Sequence, residues 1–379
     1  MHQNIQNKTI MQYNAFKSAL AVSSLCLLCS FTPARPAKNY TVSGYVKGLS
    51  DQEIYLTYGT LNHSSIDTLI THNGSFVFKG HTEEPMAAMI FTKDYRVKID
   101  FYIDNAPIKI TASLDSMMDA QASGLAVTNE FAAFNSTIMK NRKATMAVGQ
   151  KAWDLTQAGD TINGKKLQHQ SDSMYQSEFT LRRQYIEQNP KSYVALHELQ
   201  FFATDKNLQK AKELYAAMDP KLYETVQGKE VAERIAILSR IVPGKTAPLF
   251  VQNDVNGNPV SLASYKGKYV LIEFWASWCH PCRGESPNLL KQYKHFNSKG
   301  FEILSVSLDH VKDNWTAAIA KDGLLWTQVC DLKGWKNDVA SLYGIQAVPA
   351  NFLVDPTGKI VAVDLRGEAL EKKLTELYQ

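Results

Sequence analysis

Between Asn39 and about Leu114, apolar and polar residues alternate with period two. The alternation is clearest in Tyr40-Thr41-Val42-Ser43-Gly44-Tyr45-Val46, in Ile54-Tyr55-Leu56-Thr57-Tyr58, and in Ser75-Phe76-Val77-Phe78 after Asn73-Gly74. Such a pattern predicts half-buried strands, and Asn-Gly predicts a tight turn. Further runs at 88–91, 97–102 and 108–111 extend it, so the expected N-terminal unit is an all-β antiparallel sandwich or barrel over residues 38–115. From 116 to 241 the alternation gives way to stretches such as Tyr193–Leu199 and Val231–Leu238, which fit amphipathic helices. Asn189-Pro190 and Asp219-Pro220 read as helix boundaries with Asn or Asp as caps. The polar stretch from Gly149 to Lys166 reads as a loop. This middle part is expected to be a helical linker or subdomain.

Pro243-Gly244-Lys245-Thr246-Ala247-Pro248 breaks the last of those helices. Beyond it strand and helix signals alternate: strand 269–275, helix 282–298, strand 301–308, helix 315–321, and strands 350–354 and 359–364 about the turn Asp355-Pro356-Thr357-Gly358, with 375–379 closing a final helix. Alternation of this kind predicts an α/β unit over 242–379, a mixed sheet covered by helices.

The 379 residues fit about two or three domains. The formal charge of +4 includes Lys8, Lys17 and Arg35 from a stretch with no acidic residue, so the remainder carries +1 and nothing points to nucleic acid. Residues 1–37 read as a secretory signal: Lys17, the apolar run Ala19–Phe31, then Thr32-Pro33-Ala34-Arg35-Pro36-Ala37 with cleavage near Ala34 or Ala37. Met11 is an alternative start. No other run approaches the roughly twenty apolar residues of a membrane helix. The expected location is periplasmic or otherwise extracytoplasmic, with a membrane anchor as the lesser alternative. Cys26 and Cys29 would leave with the signal, and Leu28, which is not small, makes lipidation at Cys29 a minor alternative. Cys279, Cys282 and Cys330 remain, too few for a disulfide-stapled scaffold.

Chemistry concentrates in Trp278-Cys279-His280-Pro281-Cys282. Two thiols three residues apart, directly after the apolar run Val270–Trp275, form a dithiol site. A helix starting at the first cysteine would aim its free N–H groups at that sulfur and favour the thiolate. Cys279 is then the nucleophile and Cys282 its resolver. A zinc site would need four ligands, and no second Cys-x-x-Cys or His-x-x-His pair follows. His63, His72 and His81 are equally spaced but fit solvated strand and turn positions better than a metal set.

The C-terminal unit resembles the thioredoxin-like family, and within it the exported TlpA/ResA-like thiol-disulfide oxidoreductases of the redoxin superfamily. The likeness rests on Ala247-Pro248-Leu249-Phe250, Ser261-Leu262, Lys266-Gly267-Lys268, Phe274-Trp275-Ala276-Ser277-Trp278-Cys279-His280-Pro281-Cys282-Arg283, and Val348-Pro349 before Phe352-Leu353-Val354-Asp355. It covers about Val242 to Gln379. The strand-rich part ahead resembles the uncharacterised domain that precedes such units in Gram-negative bacteria. The resemblance implies an exposed attacking thiol at Cys279 and a buried resolving thiol at Cys282. It also implies a cis Val348-Pro349 bond beside them that opens backbone to substrate. Glu273 takes the place of the family's buried acid. Burial should raise its pKa and suit it to deprotonate Cys282. Glu285, one helical turn after Cys282, is a second candidate acid. The lysine that often accompanies the buried acid is absent from 301–308.

His280, when protonated, would favour the Cys279 thiolate and a more oxidising couple. Trp278, together with Trp275, would form an apolar collar for substrate, with Trp275 equally suited to the core. Cys330 is expected to pack as a small apolar strand residue. The implied activity is reduction of protein disulfides with no cofactor beyond the Cys279-Cys282 disulfide. The implied partners are those proteins and an unidentified membrane electron donor or acceptor. Two alternatives stand beside it. A peroxiredoxin-type peroxidase would ordinarily carry threonine where Ala276 stands, and a binding or assembly protein would use the fold as scaffold.

Overall fold

Side chains at every second position turn inward along Tyr40–Lys47 (β1), where Tyr40 and Val42 are fully covered while Tyr45 and Lys47 meet solvent. The computed structural model describes residues 39–60 and 62–379; the signal expected over 1–37, with Cys26 and Cys29, lies outside them. The same one-sided burial shapes Glu53–Gly59 (β2), Ser75–Gly80 (β4), Met86–Thr92 (β5), Lys98–Ile103 (β6) and Pro107–Ser113 (β7), with Ser64–Ile70 as β3 and Gln121–Ser123 as β8. They form two four-stranded sheets, ordered β4-β1-β7-β8 and β3-β2-β5-β6, around one core that includes Val42, Leu56, Ile90 and Ile108. This is the expected sandwich with one correction: β1 and β7 run parallel. Period-two alternation fixes which face is buried and carries no information on pairing direction. Asn73 and Gly74 both have positive φ, 51° and 75°, as a two-residue hairpin turn requires.

Six helices follow: Ala126–Gln157 (α1), Thr161–Gln188 (α2), Tyr193–Phe202 (α3), Leu208–Ala216 (α4), Pro220–Tyr223 (α5) and Val226–Arg240 (α6). The loop expected over 149–166 is instead the end of α1, a three-residue turn, and the start of α2. Two long helices that pack on each other through narrow stripes leave most of their surface to water, so polar composition here marks a solvated hairpin. Asp219 caps α5 through the Lys221 N–H with Pro220 in the first turn, as expected. At the other proline Asn189 closes α2, and Ser192 caps α3.

The C-terminal part comprises Val251–Asn253 (β9), Pro259–Ser261 (β10), Tyr269–Trp275 (β11), His280–Phe296 (α7), Phe301–Ser307 (β12), Lys312–Asp322 (α8), Thr327–Val329 (β13), Asp338–Leu342 (α9), Ala350–Val354 (β14), Ile360–Val363 (β15) and Glu368–Leu377 (α10). Its main sheet has the order β13-β12-β11-β14-β15. β11 is parallel to β12 and antiparallel to β14, the thioredoxin-like arrangement, with β11 central and almost wholly buried. The helical segment is no mere linker: Leu196, Leu199, Val231 and Leu238 belong to the same continuous core as β11 and β12.

Where these two parts touch, the fit is close. Gly344 has φ +59°, and a Cβ there would lie 3.0 Å from Ile237 Cγ2 of α6. Arg234 of α6 donates from Nη1 to the Gly344 carbonyl at 3.0 Å and from Nε to the Ala203 carbonyl at 2.7 Å. Gly344→Ala combines left-handed backbone with this crowding, so it should cost about 1–3 kcal/mol of stability, read from the urea midpoint. A midpoint equal to wild type would show that loop and helix yield freely.

Candidate active site

Trp275 ends β11, and the chain turns through Ala276, Ser277 and Trp278 to Cys279, which caps α7. Cys279 Sγ is bonded to Cys282 Sγ and accepts the Cys282 N–H at 3.2 Å. The first-turn amide therefore points at Cys279 Sγ, where it would favour a negative charge. Pro281 suits this first turn because its missing N–H has no helical partner to lose.

Cys279 is 4% exposed and Cys282 is 1% exposed. The expectation of an exposed attacking sulfur is therefore corrected for this oxidised form, in which Cys279 Sγ is bonded to its neighbour and packed on the helix turn. The accessible groups are on either side: His280 is exposed, and Trp278 is 50% exposed with its ring 5.9 Å from that of the equally exposed Trp335. Trp275 is not part of a docking collar. It is buried, and its Nε1 donates to Gln328 Oε1 at 3.0 Å.

A buried carboxylate anchors the loop. Ser277 N–H and Oγ donate to Asp309 at 2.9 and 2.5 Å, and Ser307 Oγ donates to it at 2.7 Å. Arg283 of α7 forms a two-pronged ion pair with Asp322 of α8. Cys330 lies just past β13, buried, with its thiol directed at the Ser307 carbonyl at 3.3 Å; burial pushes its pKa up, which keeps it protonated.

Beneath the loop, Glu273 is 5% exposed on β11. Its register partner on β12 is Ser305, whose hydroxyl donates to Glu273 Oε2 and accepts the Trp326 indole N–H at 2.7 Å. Ser305 and Trp326 thus hold the acid that a lysine accompanies elsewhere in the family. Burial raises the Glu273 pKa to about 7; the Ser305 hydrogen bond opposes the rise and the charge of Glu285 adds to it. Glu285 itself is committed elsewhere: its Oε1 accepts the Gly367 N–H at 2.8 Å and the Asn288 amide at 2.6 Å, tying α7 to the start of α10. It bears on Glu273 through its charge.

The Val348-Pro349 bond is cis, as the resemblance implied. The Pro349 carbonyl accepts from Arg366 Nη2 at 2.6 Å. Sequence reasoning missed Ser305, Trp326, Asp309 and Trp335. Ser305 could have been found by asking which residue of the next strand faces Glu273. Trp335 carried only the weaker signal of an aromatic beside a glycine in a stretch without periodicity.

Residues 243–363 match the AhpC/TSA family, and residues 40–131 match a domain of unknown function, DUF4369. The thiol-disulfide oxidoreductase ResA of Bacillus subtilis (strain 168) is 37% identical over 123 residues, which are 32% of this chain and 67% of that protein. ResA of Bacillus thuringiensis subsp. konkukian is 32% identical over 133 residues, 35% of this chain and 75% of that one. Among solved structures, the thioredoxin domain of a thiol-disulfide oxidoreductase from Bacteroides vulgatus is 43% identical. That match covers 36% of this chain and 99% of the domain, with a TM-score of 0.35.

Proposed function

The chain belongs to the ResA-like thiol-disulfide oxidoreductases of the thioredoxin family, and from that premise we propose that it reduces disulfides of exported proteins through Cys279 and Cys282. The observation that carries this reading is the Cys279-Cys282 bond at the N-terminus of α7, with its first-turn amide on Cys279 Sγ. In the reduced protein the Cys279 thiolate attacks one sulfur of the substrate disulfide, and the other leaves as a thiolate. Cys282, deprotonated, then attacks Cys279 Sγ. The substrate departs with two thiols, and two electrons have passed from the protein, which is left with the disulfide seen here.

Trp278, His280 and the cis Val348-Pro349 edge receive the substrate in this reading, and Glu273 takes the Cys282 proton. A pKa of about 7 supports that assignment, since a base works best when its pKa is near the working pH. The protein acts outside the cytoplasm after loss of residues 1–37, and a membrane donor returns the electrons. Among the described residues no helix is long and apolar enough to cross a membrane.

Equilibration of the pair against dithiothreitol or glutathione buffers, followed by thiol alkylation and mass measurement, tests the direction of flow. A reductant is expected to titrate nearer the roughly −270 mV of thioredoxin than the roughly −120 mV of a strong oxidant. The reduced protein should also reduce insulin disulfides with stoichiometric closure of Cys279-Cys282. An oxidising potential, or insulin left intact, would overturn the proposal.

A further inference from the structure

A cleft of about 330 Å³ opens where three stretches of the chain meet: Asn62 between β2 and β3, Phe201 with Glu233 and Ile237 from the helices, and Trp335 with Ile345 from the thioredoxin-like part. It adjoins the dithiol loop through Trp335, whose ring lies 5.9 Å from that of Trp278, the residue before Cys279. Its walls are braced. Glu230, buried at the base, accepts from Thr60 Oγ1 and pairs with His63 Nδ1 at 2.9 Å, both on the sandwich loop, and Gln200 Nε2 reaches its other oxygen at 3.3 Å. Arg234 spends two donors on backbone carbonyls. The rim leaves Phe201 49% exposed, and Glu233 is exposed, its carboxylate with no hydrogen bond or ion pair among the described residues.

We propose that this cleft binds an extended segment of the substrate polypeptide next to its reactive cysteine, taking an apolar side chain against Phe201 and Ile237 and a basic one at Glu233. The inference rests on the dithiol reading above and names the substrate class for it. A chain seated against Trp335 passes beside Trp278, next to Cys279. Glu230 is taken up by Thr60, His63 and Gln200, so the exposed Glu233 carboxylate is the one that favours a cationic neighbour over an acidic one. The sandwich and helices thereby select what the thioredoxin-like part reduces.

Two fluorescein-labelled decapeptides with Ser for their single Cys test this by anisotropy on the full chain, one carrying Phe and Lys beside that position and the other Phe and Asp. Wild type is expected to bind the basic peptide at least about fivefold more tightly, and Glu233→Lys should reverse the order. Phe201→Ser should weaken both peptides by about fivefold, and neither variant should alter the rate at which the reduced protein cleaves glutathione disulfide. Both substituted positions are exposed, and Glu233→Gln, which keeps the side-chain shape, should abolish the preference without reversing it. Equal affinity of wild type for the two peptides, or preferences unmoved by these substitutions, would overturn the cleft. If wild type leaves glutathione disulfide intact while the peptide preference persists, the dithiol reading fails and the binding site stands.

Discussion

Cys282→Ser is expected to stop turnover and accumulate protein joined to substrate through Cys279, while Cys279→Ser loses reductase activity without forming any adduct. In the first variant the opening attack is intact, because the Cys279 thiolate and the helix amides that favour it remain; only the resolving sulfur is gone. In the second the nucleophile itself is absent. Both rates should fall by at least about three orders of magnitude, as when one member of a catalytic unit is removed. Non-reducing electrophoresis after mixing with insulin, followed by mass mapping, distinguishes the two. An adduct on Cys282 in Cys279→Ser protein would mean the roles are reversed. It would also leave the first-turn contact to Cys279 Sγ without a chemical purpose.

The second large effect belongs to Glu273. With its pKa raised to about 7 by burial, the carboxyl changes protonation in the range where a reductase works. Glu273→Gln keeps the shape and can still accept from Ser305, yet it cannot take the Cys282 proton. Resolution of the mixed disulfide should slow by about 10², and the inflection near pH 7 should vanish from its rate profile. Stability gives an independent readout. The folded pKa lies above the unfolded one, so the folded protein binds the extra proton between about pH 4.5 and 7. The stabilising contribution is full below that window and is lost as pH rises through it, by about 3 kcal/mol in all. Glu273→Gln should remove this decline, so its advantage over wild type grows from pH 5 to pH 8 in urea unfolding. A parallel loss of stability at every pH, with the rate profile unmoved, would reduce Glu273 to a packing group.

Legibility in the sequence followed how local the determining physics is. β1 and β7 are readable because their inward and outward faces are written at alternate positions. β3, an edge strand with most of both faces solvated, carries no such contrast, and β13 is only three residues long. The α1–α2 hairpin hid behind its polar surface. At the site, Cys279, Cys282 and the cis proline lie within short motifs, and an acid in an apolar strand stands out on its own. Ser305 and Trp326 mean nothing until β12 is laid beside β11. Asp309 is informative only because it reaches across to Ser277. The cleft has no sequence signature at all, since Asn62, Glu233 and Trp335 come together only when distant parts of the chain fold onto one another.

The contact between Gly344 and α6 bears on how far this enzyme is modular. Kinship with the AhpC/TSA family begins at residue 243, but the mechanical boundary does not fall there, because Arg234 and Ile237 hold the loop that leads to Val348-Pro349. Exchanging residues 243–379 for a relative's free-standing counterpart would carry over the cysteines and the buried acid. It would not carry over the brace. Such a chimera is expected to keep its electron chemistry while its proline loop explores more conformations.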